Sequence, residues 1–412
     1  MLIRSTMLVL AAWMAPALVA AQTADVFFGG WSWRTRDPGS RPAGLGGAYV
    51  AVADGVRTTA INPAGLALIP RVEAAAGILP RWAGLARRLE GAVRVQPVTQ
   101  GDPALAVCPP GRRARPWTAA VYVEQSESRR NDLEVVRGPG AAEAATLEAA
   151  SEELGGGVAK GVFPWLDVGA TLAWRHLRLD GASIVSDALD REQQRVTLAG
   201  DANKARAILG ALASFGPQWT PTSVRLGVAY QWDLTKWSVE RRTIDRVRGV
   251  AADPTEVAVL EPAVLSGGLA WRISDDWLVA GQLDYTWFDQ IAKATARSAG
   301  TGGFVVRNHF EPRGAIEMTR SSPIGGYYKV RAGLRREISG RVTYDGDDPV
   351  LRQAFQGSPA AFRGSVGVSF LAEFYEKAVR LDVDLSQVVL QRQSSLSAAG
   401  TRRLSIGLTG RL

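Results

Sequence analysis

The chain has 412 residues, with 48 Lys+Arg against 40 Asp+Glu and a formal charge of +8. One cysteine (Cys108) rules out an internal disulfide and a cysteine-built metal cluster, and two histidines (His176, His309) argue against a histidine-rich metal site. The basic excess is spread rather than clustered, which speaks against nucleic acid as a partner and suits lipid or anionic ligands.

No apolar run reaches the ~18 residues of a spanning helix. Thirteen Trp and 44 Gly suggest instead many strands, tight turns and a bilayer interface. At the N-terminus, Arg4 precedes an apolar stretch from Met7 to Leu18, and Val19-Ala20-Ala21 offers small residues for cleavage before Gln22. Residues 1–21 therefore read as a secretory signal peptide, with export of the mature chain.

The segment Arg41–Pro70 is apolar and glycine-rich, without a sustained helical or strand period. Gly44, Gly46 and Gly47 permit backbone angles closed to other residues, and Pro63 removes a donor and pushes Asn62 toward an extended shape. By itself the segment fits either a linker or a compact plug of small side chains.

Beyond it, short runs alternate apolar and polar residues. In Asp276–Gln290, one face carries Trp277, Val279, Leu283, Tyr285 and Trp287, and the other carries Gln282, Asp284 and Thr286. An apolar face with aromatics near both ends is what a bilayer requires of a barrel strand. Ser223–Leu234, Tyr327–Ile338, Ala378–Leu390 and Arg402–Leu412 repeat the pattern. Arg71–Leu79, Pro103–Cys108 and Arg341–Asp345 are shorter members of the set. Counting all runs predicts an all-β fold, an antiparallel transmembrane β-barrel of about fourteen strands over 71–412. Tight connections such as Phe163–Asp167 alternate with long polar ones at Ser126–Ser151, Asp180–Lys204, Trp237–Glu261, Ile291–Gly325 and Gly346–Ala361. Outer-membrane barrels have short turns on one side and long loops on the other.

With these features together, the chain resembles the long-chain fatty-acid outer-membrane transporter family (FadL-like). The resemblance is carried by Gly44-Leu45-Gly46-Gly47-Ala48-Tyr49, Ala53-Asp54 and Asn62-Pro63-Ala64-Gly65-Leu66, which look like that family's hatch. It implies a hatch over 22–70, with Gly44, Gly46, Gly47, Tyr49, Asp54, Asn62, Pro63 and Ala64 as its motif, inside a monomeric barrel. It also implies passive passage of fatty acids or hydrocarbons across a bacterial outer membrane, without cofactor or metal. One departure is the terminus, Gly410-Arg411-Leu412, where such barrels end on an aromatic residue.

For a carboxylate ligand, the alternation offers Arg175, Arg225, Lys329, Arg331, Arg335, Arg380 and Arg403 as lumen-facing partners for the head group. The same cations equally suit neutralising Asp167, Asp233, Asp284, Asp382 and Asp384 in a packed interior. A second reading is an attachment component of a secretion or envelope assembly, for which long charged loops would also serve. Catalysis lacks a motif: His176 falls on the lipid-side alternation, and His309 lies in a long loop.

Overall fold

The computed structural model describes residues 39–411 apart from short connections and the stretches 96–116, 217–222, 288–303, 353–360 and 392–402. Its strands are β1 (Val72–Arg81), β2 (Gly84–Val95), β3 (Trp117–Gly138), β4 (Ala141–Phe163), β5 (Leu166–Ser186), β6 (Glu192–Phe215), β7 (Val224–Asp233), β8 (Trp237–Asp245), β9 (Val250–Ala251) and β10 (Thr255–Val259). They continue with β11 (Val264–Arg272), β12 (Trp277–Thr286), β13 (Phe304–Val306), β14 (His309–Ser321), β15 (Tyr327–Glu337), β16 (Val342–Tyr344), β17 (Ala361–Phe374), β18 (Lys377–Gln391) and β19 (Arg403–Arg411).

Fourteen of these pair antiparallel around a ring, in the order β1 to β7, then β11, β12, β14, β15, β17, β18 and β19. The ring closes because β19 pairs back onto β1, from Glu73↔Arg411 to Ile78↔Ile406. Closure leaves no strand edge for a bilayer to expose.

Side chains along the wall are inside-out relative to a water-soluble sheet. Val366, Val368, Leu381, Val383, Leu385, Leu404, Ile406 and Leu408 face outward and are exposed, whereas Ser365, Ser369, Asp382, Asp384 and Ser405 are buried within. An apolar exterior round a charged interior is the arrangement of strands that cross a bilayer. Aromatic rings mark both margins of the apolar band. Phe163, Trp165 and Phe215 stack at the short-turn end, with centroids 5.6 and 6.4 Å apart. Tyr230, Trp232, Tyr285, Trp287 and Phe310 cluster at the other, with centroids 4.8 to 5.8 Å apart.

Three of the expected long connections are largely strand. β3 and β4 run on through 126–151, and β5 and β6 through 180–204. The register of β7 on β6 (Arg206↔Asp233) continues unchanged into β8 (Ala199↔Glu240), and β10 pairs on β8. Strands of 21 to 24 residues, at ~3.3 Å per residue, extend roughly 70–80 Å. A tilted spanning strand needs only ~9–11 residues. One side of the ring therefore rises far above the apolar band as a tall half-wall, and polar composition alone made that extension look like loop.

One expected strand lies elsewhere. Arg341–Asp345 is not in the ring: β16 pairs with β13 in a separate two-stranded sheet. The ring strand in that region is β14, hidden in the expected loop Ile291–Gly325 because Pro312 and Gly314 interrupt its pattern. The ring's second strand is β2, whose Arg87-Arg88-Leu89-Glu90 run obscures the alternation. Pro103–Cys108 lies outside the described residues.

Candidate functional site

The N-terminal segment Gly39–Ile69 lies inside the ring. It consists of a short helix, Ser40–Gly44, and two 3-10 turns, Val56–Ala60 and Pro63–Leu68. Leu45, Val50, Val52, Ala53, Val56, Ala64 and Leu66 are fully buried. One end packs against Ala270, Leu278 and Ala280, and the other against Ala75, Ala120, Ala159 and Leu212. Small wall residues are needed because the segment presses its backbone on the strands. A Cβ at Gly169 would stand 2.5 Å from the Pro63 carbonyl carbon, one at Gly227 2.6 Å from that of Val50, and one at Gly333 2.5 Å from that of Leu45.

Each residue of the expected motif has a definite contact. Gly46 and Gly47 have φ of +60° and +82°, a region that favours glycine, and Gly46 meets the backbone of Leu334. Gly44 lies where a side chain would strike Arg331 and Asp384. Backbone N–H groups of Tyr49 and Val50 both donate to Gln282 Oε1, at 2.9 Å each. The Tyr49 hydroxyl donates to Asp54 Oδ1 at 2.9 Å. Asn62 Nδ2 donates to the carbonyls of Val50 (2.7 Å) and Ala211 (3.1 Å), while its Oδ1 accepts from Ala64 N at 3.2 Å and so caps the turn that Pro63 begins.

Around the segment, charges pair in clusters. Arg41 holds Glu317 of β14 through Nε and Nη2, at 3.2 and 2.8 Å, and also pairs with Asp54. Glu317 is shared with Lys329 at 3.3 Å and approached by Arg331 at 3.9 Å. Arg331 bridges to Asp384 (2.6 Å) and Asp382 (3.2 Å), and Arg380 to Asp382 (3.0 Å). Burial alone would raise the Asp54 carboxyl, but Arg41, Lys329 and Arg380 together outweigh it and bring the pKa down to about 2. A second cluster sits higher on the tall side. Arg175 pairs with Glu261, Lys204 with Asp233 at 2.8 Å, and Arg206 with Glu153, Asp233 and Glu261.

Among the seven expected head-group partners, Arg331 and Arg380 are thus pinned by aspartates, Lys329 by Glu317 and Arg175 by Glu261. Arg225 donates to the Val52 carbonyl at 3.3 Å. Arg335 is buried in the wall, and the Arg403 side chain lies outside the described residues. The strand register adds a feature that single-strand alternation hid: Arg313, Arg335 and Arg363 stand directly opposite one another on β14, β15 and β17. Arg313 pairs with Asp284 at 2.7 Å and approaches Glu311 at 3.6 Å.

Above the apolar band the two faces exchange character. On β5 the outer residues pass from Leu172 and Trp174 to His176, Arg178 and Asp180, while the inner ones pass from Asp167, Thr171 and Arg175 to Leu177 and Leu179. His176 accordingly points outward, 3.2 Å from Asn203 Oδ1. Leu177 and Leu179 of β5, Leu147 of β4, Val196 and Leu198 of β6 and Val239 of β8 are all buried, an apolar set above the charged cluster.

No protein-family model matches the sequence, and comparison with curated proteins found no match. Solved structures do match. One described as the CymD monoaromatic hydrocarbon channel aligns over 91% of this chain and 97% of its own, with a TM-score of 0.56 at 15% identity. A Pseudomonas aeruginosa FadL homologue aligns over 90% of this chain and 97% of its own, also with a TM-score of 0.56, at 11% identity. The chain has the FadL-like all-β barrel fold.

Proposed function

We propose that the protein is a bacterial outer-membrane channel through which hydrophobic small molecules diffuse passively, with residues 22–70 as an internal plug and 71–412 as the barrel. In this reading residues 1–21 direct export. The observation that carries the proposal is the change of lining along the tall wall. Buried apolar side chains (Leu147, Leu177, Leu179, Leu198) replace charged ones on the inner side above the lumen that the N-terminal segment occupies. The FadL-like fold, shared with a structure named as a hydrocarbon channel, supports the same reading.

The test is uptake of 1-dodecanol by cells that express the full chain, compared with cells carrying an empty vector, together with mass spectrometry of small molecules retained by the purified protein. Raised uptake or a retained apolar molecule is expected. No uptake, no retained molecule and a co-purifying protein partner would favour the attachment-component reading instead.

A further inference from the structure

We infer that Glu261 is a clasp: it ties the edge of the tall half-wall back onto β5 and β6, and so holds the edge strand β10 in its curl. This role is independent of what passes through the barrel.

Glu261 reaches its place through a slip in register. β10 pairs with β8 and β11 with β7, while β7 and β8 keep one register along β6. From Gln231↔Val264 to Trp237↔Val259 there are six steps on one strand and five on the other. An odd step reverses the facing of side chains, as a bulge does. Glu261 lies in that irregularity, and its carboxylate turns into the barrel to bridge Arg175 of β5 and Arg206 of β6. The wall supplies the demand for it. In this cluster the strands contribute Arg175, Lys204 and Arg206 against Glu153 and Asp233, so neutrality is reached only with Glu261. A surplus cation buried without its partner is strongly unfavourable.

Below Glu261 the wall is secured on both sides. β11 lies between β7 and β12, and the Ala263 carbonyl accepts from Trp287 N at 3.1 Å. Above Glu261, β10 pairs with β8 alone among the described strands. Glu261 thus stands where the closed ring ends and the free edge begins. The half-wall also bends inward here. Val239 of β8 is buried, and a Cβ at Gly200 of β6 would lie 2.7 Å from its Cγ1 and 3.0 Å from its Cα. Glycine at 200 therefore lets β8 fold closely over β6. The ion pairs of Glu261 cross the concave side of this bend, from the edge to β6 and on to β5.

The test is hydrogen exchange of the full chain in nanodiscs, read over 255–259 and, for reference, over 264–272. Glu261→Gln keeps the shape of the side chain and removes its charge. It is expected to speed exchange of 255–259 about tenfold and leave 264–272 near wild type, the effect of losing one charge-assisted contact. Asp233→Asn is the control, since it takes a carboxylate from the same cluster but leaves Glu261 between the two arginines. In that variant 255–259 should keep wild-type protection. Unchanged exchange over 255–259 in Glu261→Gln would overturn the clasp, as would equal loosening of 255–259 in Asp233→Asn. Heat-modifiable migration on gels establishes that each variant barrel is assembled. Should Glu261→Gln not assemble, Arg175→Gln, which releases one end of the clasp, is read in the same way and against the same two outcomes.

Discussion

Gly169 and Gly267 are both strand glycines, yet adding one methyl group should affect them in opposite ways. A Cβ at Gly169 would lie 2.5 Å from the Pro63 carbonyl carbon and 2.6 Å from Ala64 N, whereas one at Gly267 meets nothing within 4 Å. Ordinary contact begins near ~3.5 Å, so Gly169→Ala requires about 1 Å of displacement between two backbones. Neither yields easily. Gly169 is paired to Ala159 and Gly210 on both sides, and Ala64 is held in its turn by the Asn62 cap. Overpacking of this kind costs about 1–3 kcal/mol, and the rigidity of both partners puts it near ~2–3. At 1.4 kcal/mol per decade this predicts roughly 30- to 100-fold faster hydrogen exchange over 62–69. Gly267→Ala should be neutral or stabilise slightly, because it only restricts the unfolded chain. Heat-modifiable gel migration should show both barrels assembled. Equal protection of 62–69 in the two variants would refute the claim that the segment is seated by backbone contact with glycines.

Three further outcomes follow from the same geometry. Asn62→Ala removes a turn cap and two bonds from Nδ2, and should loosen 62–69 by about 2–3 kcal/mol and reduce solute uptake while barrel heat-resistance persists. Asp54, on the segment rather than a spanning strand, has a pKa of about 2 against an ordinary value of 3.8. A depressed acid stabilises fully above its unfolded value, so about 2 kcal/mol of holding energy should vanish as pH falls from about 4 to about 2. Tryptophan fluorescence and protease sensitivity of the segment report that loss, and Asp54→Asn should flatten the dependence. On the outer face of β5, Leu172→Arg should cost about 2–4 kcal/mol of barrel stability in lipid, while Ala182→Arg, above the aromatic margin, should be tolerated. Urea unfolding in vesicles distinguishes them.

The ring was legible wherever one face of a strand met lipid with large apolar side chains, because a bilayer favours period-two alternation. β7, β12, β15, β18 and β19 all show it. β14 did not, since Pro312 and Gly314 point outward and leave only Phe310, Ile316 and Met318 to mark its apolar face. The tall half-wall was illegible for a different reason. Above Trp174 the outer face meets water and the inner face turns apolar, so the pattern inverts in phase and reads as a polar connection rather than as more of the same strand. The charge network lay beyond reach for a third reason. Alternation states which residues face the lumen, but pairing depends on registers between strands, and only these set Arg313, Arg335 and Arg363 in one row and place Lys329 beside Glu317.

That distinction bears on how lumen cations are to be understood. Viewed singly, Arg331 and Arg380 are inward-facing guanidiniums in a barrel, and a carboxylate head group is the natural partner to assign them. Viewed with their neighbours, they are the fixed half of an interior in which Asp382 and Asp384 have already taken that place. A ligand carboxylate arriving there would have to displace an aspartate held at 2.6 to 3.2 Å, and would gain only what the displaced group loses. Arg41 of the N-terminal segment joins the same interior through Glu317, which Lys329 also holds at 3.3 Å, so the segment is seated on charges that already have partners in the wall.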